Sequence, residues 1–292
     1  MLTHLSRSSL VVIVLSVLAT GVSAQTATLP KIDFPAASPA AIVKQRIGLT
    51  DIEVSYSRPG MKGRTIFGGL VPFDQVWRTG ANTATTISFS TAVKLNGTSV
   101  AAGTYELFTI PGKSEWTVII HKNASEWGTY SYDAKNDIAR VKAVPSTLPY
   151  PVETFAISFN NLRDESGVLY FTWENTRVPV KIEVEVTSAL VPQIEAVMAS
   201  SAAKKPYAEA AMFYLEHGLD LKKAAGWMDA AIAAQPDAFY LVYRKALIQE
   251  RMGDKAGAIA TATASLEAAS KDKGAIKDEY IALNQALLAR LR

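Results

Sequence analysis

The stretch SRPGMKGRTIFGGLVPFDQVWRTGANTATT, Ser57 to Thr86, holds the most concentrated set of groups able to bind a ligand. Arg58, Arg64 and Arg78 are separated by loop residues, and Pro59 and Pro72 stiffen the path between them. Gly60, Gly63, Gly68, Gly69 and Gly80 permit tight turns. A stiff loop of this kind presents forked guanidinium donors to a carboxylate, phosphate or sulfate. The same arginines can serve the loop itself, bonding its carbonyls or pairing with Asp51, Glu53 and Asp74. Together with Trp77 and Asn82 they are the leading candidate site.

A second set lies in NASEWGTYSYDAKND, where Glu126, Asp133 and Asp137 sit beside Trp127, Tyr130 and Tyr132. Aromatic rings near acids suit a sugar platform, so Trp127, Tyr130 and Tyr132 join the candidate ligand-binding residues. Hydrolysis of a glycosidic bond would need two of the acids facing each other across a cleft, roughly 5 to 10 Å apart. A calcium loop needs a higher density of oxygen ligands than Asp133 to Asp137 offers.

Other chemistry is thinly provided. Of the three histidines, His4 lies in the leader, His121 ends the run EWTVIIH, and His217 stands beside Gly218. There is no cysteine, which removes thiol nucleophiles, thiolate zinc sites and disulfides. No H-E-x-x-H, G-x-S-x-G, phosphate loop or dinucleotide fingerprint occurs. Neither a metal nor a cofactor is expected, and no catalytic residue is assigned.

The elements that must hold these residues follow from composition and period. The chain has 292 residues, 49% of them hydrophobic and 20% charged, with a net charge of +3. Acids and bases are interleaved, and no basic stripe asks for nucleic acid. Residues 1–24 read as a secretory signal peptide: Arg7, then the apolar run Leu10 to Ala19, then Val22-Ser23-Ala24 at a cleavage site. Export to the periplasm or the medium follows, with no transmembrane segment after cleavage. Residues 25–41 form a linker with Pro30, Pro35 and Pro39.

From 42 to 187 the period is that of strands. Asn96-Gly97 between short apolar runs signals a two-residue hairpin, and Pro111-Gly112-Lys113 marks another turn. In VPVKIEVEV, Val180, Ile182, Val184 and Val186 face one side, and Lys181, Glu183 and Glu185 the other. About nine strands are expected, arranged as an antiparallel β-sandwich of jelly-roll-like form. Residues 188–203 make a connecting helix. Residues 204–292 are Ala-rich, and small residues recur at a spacing of thirty-four, as Ala224 to Ala258 and Ala231 to Ser265 show. This spacing resembles tetratricopeptide repeats. It predicts helix pairs near 206–235 and 237–270, with a capping helix over 275–291. Two units fall below the minimum for a free-standing array, so the helices are expected to lean on the β-domain. The class is α+β multidomain.

Three blocks in order resemble a known family: YSRPGMKGRTIFGGLVPFDQVWRTGANTATTISFS, AAGTYELFTIPGKSEWTVII and EWGTYSYDAKNDIARVKAVP. The chain resembles the domain-of-unknown-function family numbered 2911, secreted bacterial proteins, over roughly Val43 to Val186. The resemblance implies export, a single β-domain and sometimes a repeat region after it. It carries no activity. Arg58, Arg64, Trp77, Arg78, Asn82, Trp127, Tyr130, Tyr132 and Asp137 all fall on its motif positions. His121 stands where relatives show a non-histidine polar residue, which counts against it as a catalytic group.

The combined expectation is an exported, non-catalytic binding module. Its β-domain would take a small anionic or sugar-like ligand, and its helices an envelope protein partner. A carboxylate-dependent glycan hydrolase is the alternative.

Overall fold

The computed structural model describes residues 32–122 and 128–292, of which 37–292 form one unit. The predicted leader, and Glu126 and Trp127, lie outside the described residues. Two antiparallel sheets stack face to face. The larger runs in the order β1 (Ala40–Ile47), β2 (Thr50–Ser57), β3 (Thr85–Phe89), β6 (Gly103–Ile110), β7 (Trp116–Lys122) and β8 (Asp137–Ala143). The smaller runs β5 (Thr98–Val100), β4 (Val93–Leu95), β10 (Ser166–Val184) and β9 (Ser146–Arg163).

Strict alternation places the strands. In β2, Ile52, Val54 and Tyr56 point into the core, while Asp51, Glu53 and Ser55 face outward. The β4–β5 hairpin turns at Asn96 and Gly97, whose φ values of 44° and 85° are those of a type I′ turn. β6 from Glu106 to Thr109 and β7 from Trp116 to His121 are buried at every residue because both their faces are covered. Leu107, Trp116, Val118 and Ile120 enter the main core between the sheets. Phe108 and Ile119 instead meet Ala84, Val76 and Tyr132 on the outer side of the larger sheet.

β10 is the irregular strand. Its pairing with β9 slips on either side of Glu174, which has φ 52°. The extra residues at these slips belong to β9, which runs from Ala156 to Thr147 while β10 runs only from Thr172 to Thr176. Its far end returns to its start, where Val184 N–H donates to Glu165 O at 3.0 Å.

Six helices follow: α1 (Thr187–Ala199), α2 (Tyr207–Glu216), α3 (Leu221–Ala234), α4 (Phe239–Met252), α5 (Lys255–Lys271) and α6 (Lys277–Leu291). Neighbours in sequence pack as neighbours in space, from α2 on α3 to α5 on α6, and α4 also touches α2 and α6. Ala211 and Ala224, then Ala246, Ala258 and Ala262, keep the backbones close. Gly253 ends α4 in the left-handed region, at φ 83°, and Asp254 caps α5 by accepting from Gly257 N. Arg290 of α6 makes a bidentate pair with Glu250 of α4, at 2.8 and 2.7 Å.

The helical region does lean on the sandwich. Leu190 and Phe213 pack on its core. Glu165, in the turn between β9 and β10, caps the start of α1. Its Oε1 accepts from Val186 N at 3.1 Å, Thr187 N at 2.8 Å and Thr187 Oγ1 at 2.8 Å. His217 stacks on Phe213 and reaches Thr187 Oγ1 at 3.2 Å. Desolvation raises the Glu165 pKa, but the bonds from Thr187 and Val186, with His217 nearby, outweigh it and hold the carboxyl below its ordinary value. A carboxyl depressed in the folded state stabilises above its unfolded pKa, and that contribution is lost as pH falls through the folded value. Replacing Glu165 by Gln is expected to cost about 1 kcal/mol at pH 7, a capping loss discounted for partial exposure. The difference between variant and wild type should shrink as the pH falls below 4.5, the reference value for a free glutamate. Urea denaturation at pH 7 and pH 3.5 checks this, and a constant difference would rule out the carboxylate cap.

Candidate functional site

The arginine loop is stitched to the β9–β10 ribbon and to β6 by its own backbone. Met61 N donates to Glu153 O at 2.7 Å, and Phe155 N donates to Pro59 O at 2.9 Å. Trp77 and Thr109 exchange both backbone bonds, at 2.7 and 2.9 Å. Side chains add to this: Glu153 Oε1 accepts from Lys62 N at 2.9 Å. A loop with this many partners is a fixed wall.

Behind the wall lies an aromatic cluster. Trp77 stacks on Trp173 of β10 with ring centroids 5.8 Å apart and planes 18° from parallel. Phe67 meets Trp77, Trp116 and Trp173 edge-on, and Phe155 completes the group. The Trp77 indole N–H donates to Gly80 O at 3.1 Å, which sets the ring's direction.

Between wall and cluster opens a cavity of about 380 Å³. This lies within the range of small-molecule sites. Trp77, Trp173, Val71, Val76, Leu70, Pro59 and Pro72 give it an apolar lining, and Arg64, Arg78, Gln75, Ser38 and Thr129 add polar groups. No Asp, Glu or His lines it among the described residues.

The candidate residues divide. Arg64, Trp77 and Arg78 line this one cavity. Arg64 Nε and Nη2 donate to Met61 O at 2.9 Å and Gly60 O at 2.7 Å, which fixes its fork. A guanidinium has five N–H donors, so these two bonds leave others on an exposed side chain that lines the cavity. Arg78 lies against Gly128, where an added β-carbon would stand 3.3 Å from Nη1. Arg58 and Asn82 do not line the cavity. Arg58 Nε bonds Phe155 O at 3.0 Å, and Asn82 ties Ser38 O and Ser57 Oγ together at 3.3 and 3.2 Å. Tyr130 is 83% exposed, and only its neighbour Thr129 reaches the cavity.

Tyr132 belongs elsewhere, in a cluster on the outer face of the larger sheet. Asp137 is almost fully enclosed there. It meets His121 Nδ1 at 2.9 Å, Tyr132 OH at 2.8 Å and Arg140 Nε at 2.7 Å. Arg140 Nη2 also donates to Tyr132 OH at 2.8 Å. Burial, and then the bond to the Asp137 carboxylate, push the Tyr132 hydroxyl up to about 12 against the opposing pull of Arg140. Asp133 caps a short turn by accepting from Lys135 N at 3.0 Å. The two described acids of the hydrolase reading are thus engaged by neighbouring groups, and neither lines the cavity.

Trp173, Leu70, Val71 and Thr129 were not among the sequence candidates. Trp173 sits in VLYFTWEN, a run whose apolar content marks a strand but not the cavity behind it.

Replacing Asp137 by Asn keeps the shape but removes the charge and one of the two acceptor oxygens, and turns an amide NH2 toward groups that donate. It is expected to lower stability by about 2–3 kcal/mol, a fall in Tm of about 4–12 °C for a chain of this size. Calorimetry checks the change, and a Tm within a degree of wild type would mean the cluster contributes little.

The family model described as Protein of unknown function (DUF2911) matches residues 38–182. No curated protein matches the chain, and no solved structure does.

Proposed function

We propose that this chain, which belongs to the DUF2911 family through its β-sandwich, is an exported, non-catalytic binding module for a small anion with a flat or apolar body. The observation that supports this reading is the shared lining of one cavity by Arg64, Arg78 and the stacked Trp77 and Trp173. Two guanidinium groups on the lining of one cavity favour an anion over a neutral sugar. The indole faces favour a planar or apolar remainder. No lining side chain among the described residues is an evident general acid or base, which favours binding over catalysis. The helical array, with Ala-rich packing and mixed surface charge, reads as a scaffold for a protein partner in the envelope, in the manner of stacked helix-pair proteins.

Both tryptophans border the cavity, so intrinsic fluorescence reports on its filling. Titration with benzoate, naphthalene-1-sulfonate and inorganic phosphate, beside glucose and N-acetylglucosamine, is expected to give saturable quenching by the aryl anions. Arg64→Gln and Arg78→Gln should each weaken binding about tenfold, the value of one charge-assisted contact. Equal responses to the aryl anions and the neutral sugars, or unchanged affinity in both variants, would overturn the reading.

A further inference from the structure

We infer that Glu174 is a positioning residue that holds the cavity wall in its binding form, an inference that rests on the ligand-binding reading of the cavity. Three observations converge on it. Glu174 has φ 52° inside a β-strand, a conformation that L side chains seldom adopt and that costs of order 1–3 kcal/mol elsewhere. Its register with β9 slips on both sides, from Thr172 opposite Ala156 to Glu174 opposite Val152 and Thr176 opposite Thr147, so it is the one paired residue within a break whose extra residues belong to β9. Its carboxylate reaches out of the strand to the arginine loop, where Ile66 N–H donates to Oε1 at 3.3 Å and Phe67 N–H donates to Oε2 at 3.5 Å.

Those two amides are the root of the wall. Ile66 is fully buried and accepts from Gly69 N at 3.2 Å and Val71 N at 2.9 Å through its carbonyl. Phe67 packs edge-on against both Trp77 and Trp173. Leu70 and Val71, which face the cavity, therefore take their position from a segment that Glu174 anchors. The residue before Glu174 is Trp173, so one irregularity serves both sides of the cavity. It leaves Trp173 in the core under Trp77 and sends the next side chain to the opposite wall. Glycine would adopt φ 52° with less strain. A glutamate there is explained by what its carboxylate holds.

The test separates the backbone conformation from the tether. Glu174→Gly keeps the backbone conformation and removes the carboxylate, and Glu174→Gln retains one acceptor oxygen. Amide hydrogen exchange at Ile66 and Phe67 is expected to speed up about tenfold in Glu174→Gly. Its affinity for naphthalene-1-sulfonate, followed by tryptophan quenching, should fall about tenfold while Tm stays at or above that of wild type. Glu174→Gln should recover both to within about threefold. Wild-type exchange and affinity in Glu174→Gly would overturn the proposal, as would faster exchange with affinity unchanged. If the wild-type protein itself binds no aryl anion, the ligand reading of the cavity fails, and the positioning role fails with it. Exchange at the two amides then still shows whether Glu174 holds the loop.

Discussion

The stack of Trp77 on Trp173 is the contact on which the rest of the β-domain is organised. It joins a loop between β2 and β3 to a strand of the opposite sheet, far apart in sequence. Aromatic rings bury large areas and prefer offset or edge contacts. Phe67, Trp116 and Phe155 meet the pair in that way. Once these rings are packed, the loop has little freedom in where its arginines can go. Arg58 and Arg64 turn to backbone carbonyls, and the gap left between loop and rings becomes the cavity. Scaffold and site are thus the same residues seen from two sides.

The outer face of the larger sheet solves a different problem. β7 carries His121 on that face, and its register with β8 sets Asp137 directly opposite. A carboxylate enclosed this fully needs several donors. Histidine, tyrosine and arginine supply them, and Phe108 packs against the His121 and Tyr132 rings. The turn that brings Tyr132 here also carries Thr129 to the cavity and Gly128 to Arg78. A single short turn therefore ties the buried polar cluster to the cavity rim.

Much of the fold was legible because it is written locally. Asn96-Gly97 names its own turn, and VPVKIEVEV names its own faces. The spacing of Ala224 and Ala258, and of Ala231 and Ser265, was enough to place the helix pairs. What could not be read was tertiary. Nothing around Glu174 announces a left-handed residue within a strand, since glutamate has no preference for that region and the break lies in the pairing with β9, a tertiary feature. Asp137 reads as an acid among rings, which suits sugars. Only the pairing of β7 with β8 turns it inward to His121. Of the arginines, spacing alone could not tell that Arg64 and Arg78 share a cavity while Arg58 bonds a carbonyl.

β10 begins and ends at nearly one point, and the helices depart from it. Glu165 receives the strand's last amide through its carbonyl and the first helical amide through its carboxylate. Beyond that, the attachment is carried chiefly by Thr187, His217, Leu190 and Phe213. A junction this small makes few demands on what is joined to it. A different tail needs only a threonine or similar cap and one or two apolar side chains to dock at the same place. The larger sheet takes its order from β1, β2, β3, β6, β7 and β8, so the hydrogen bonds that hold the helices at Glu165 do not enter its pairing.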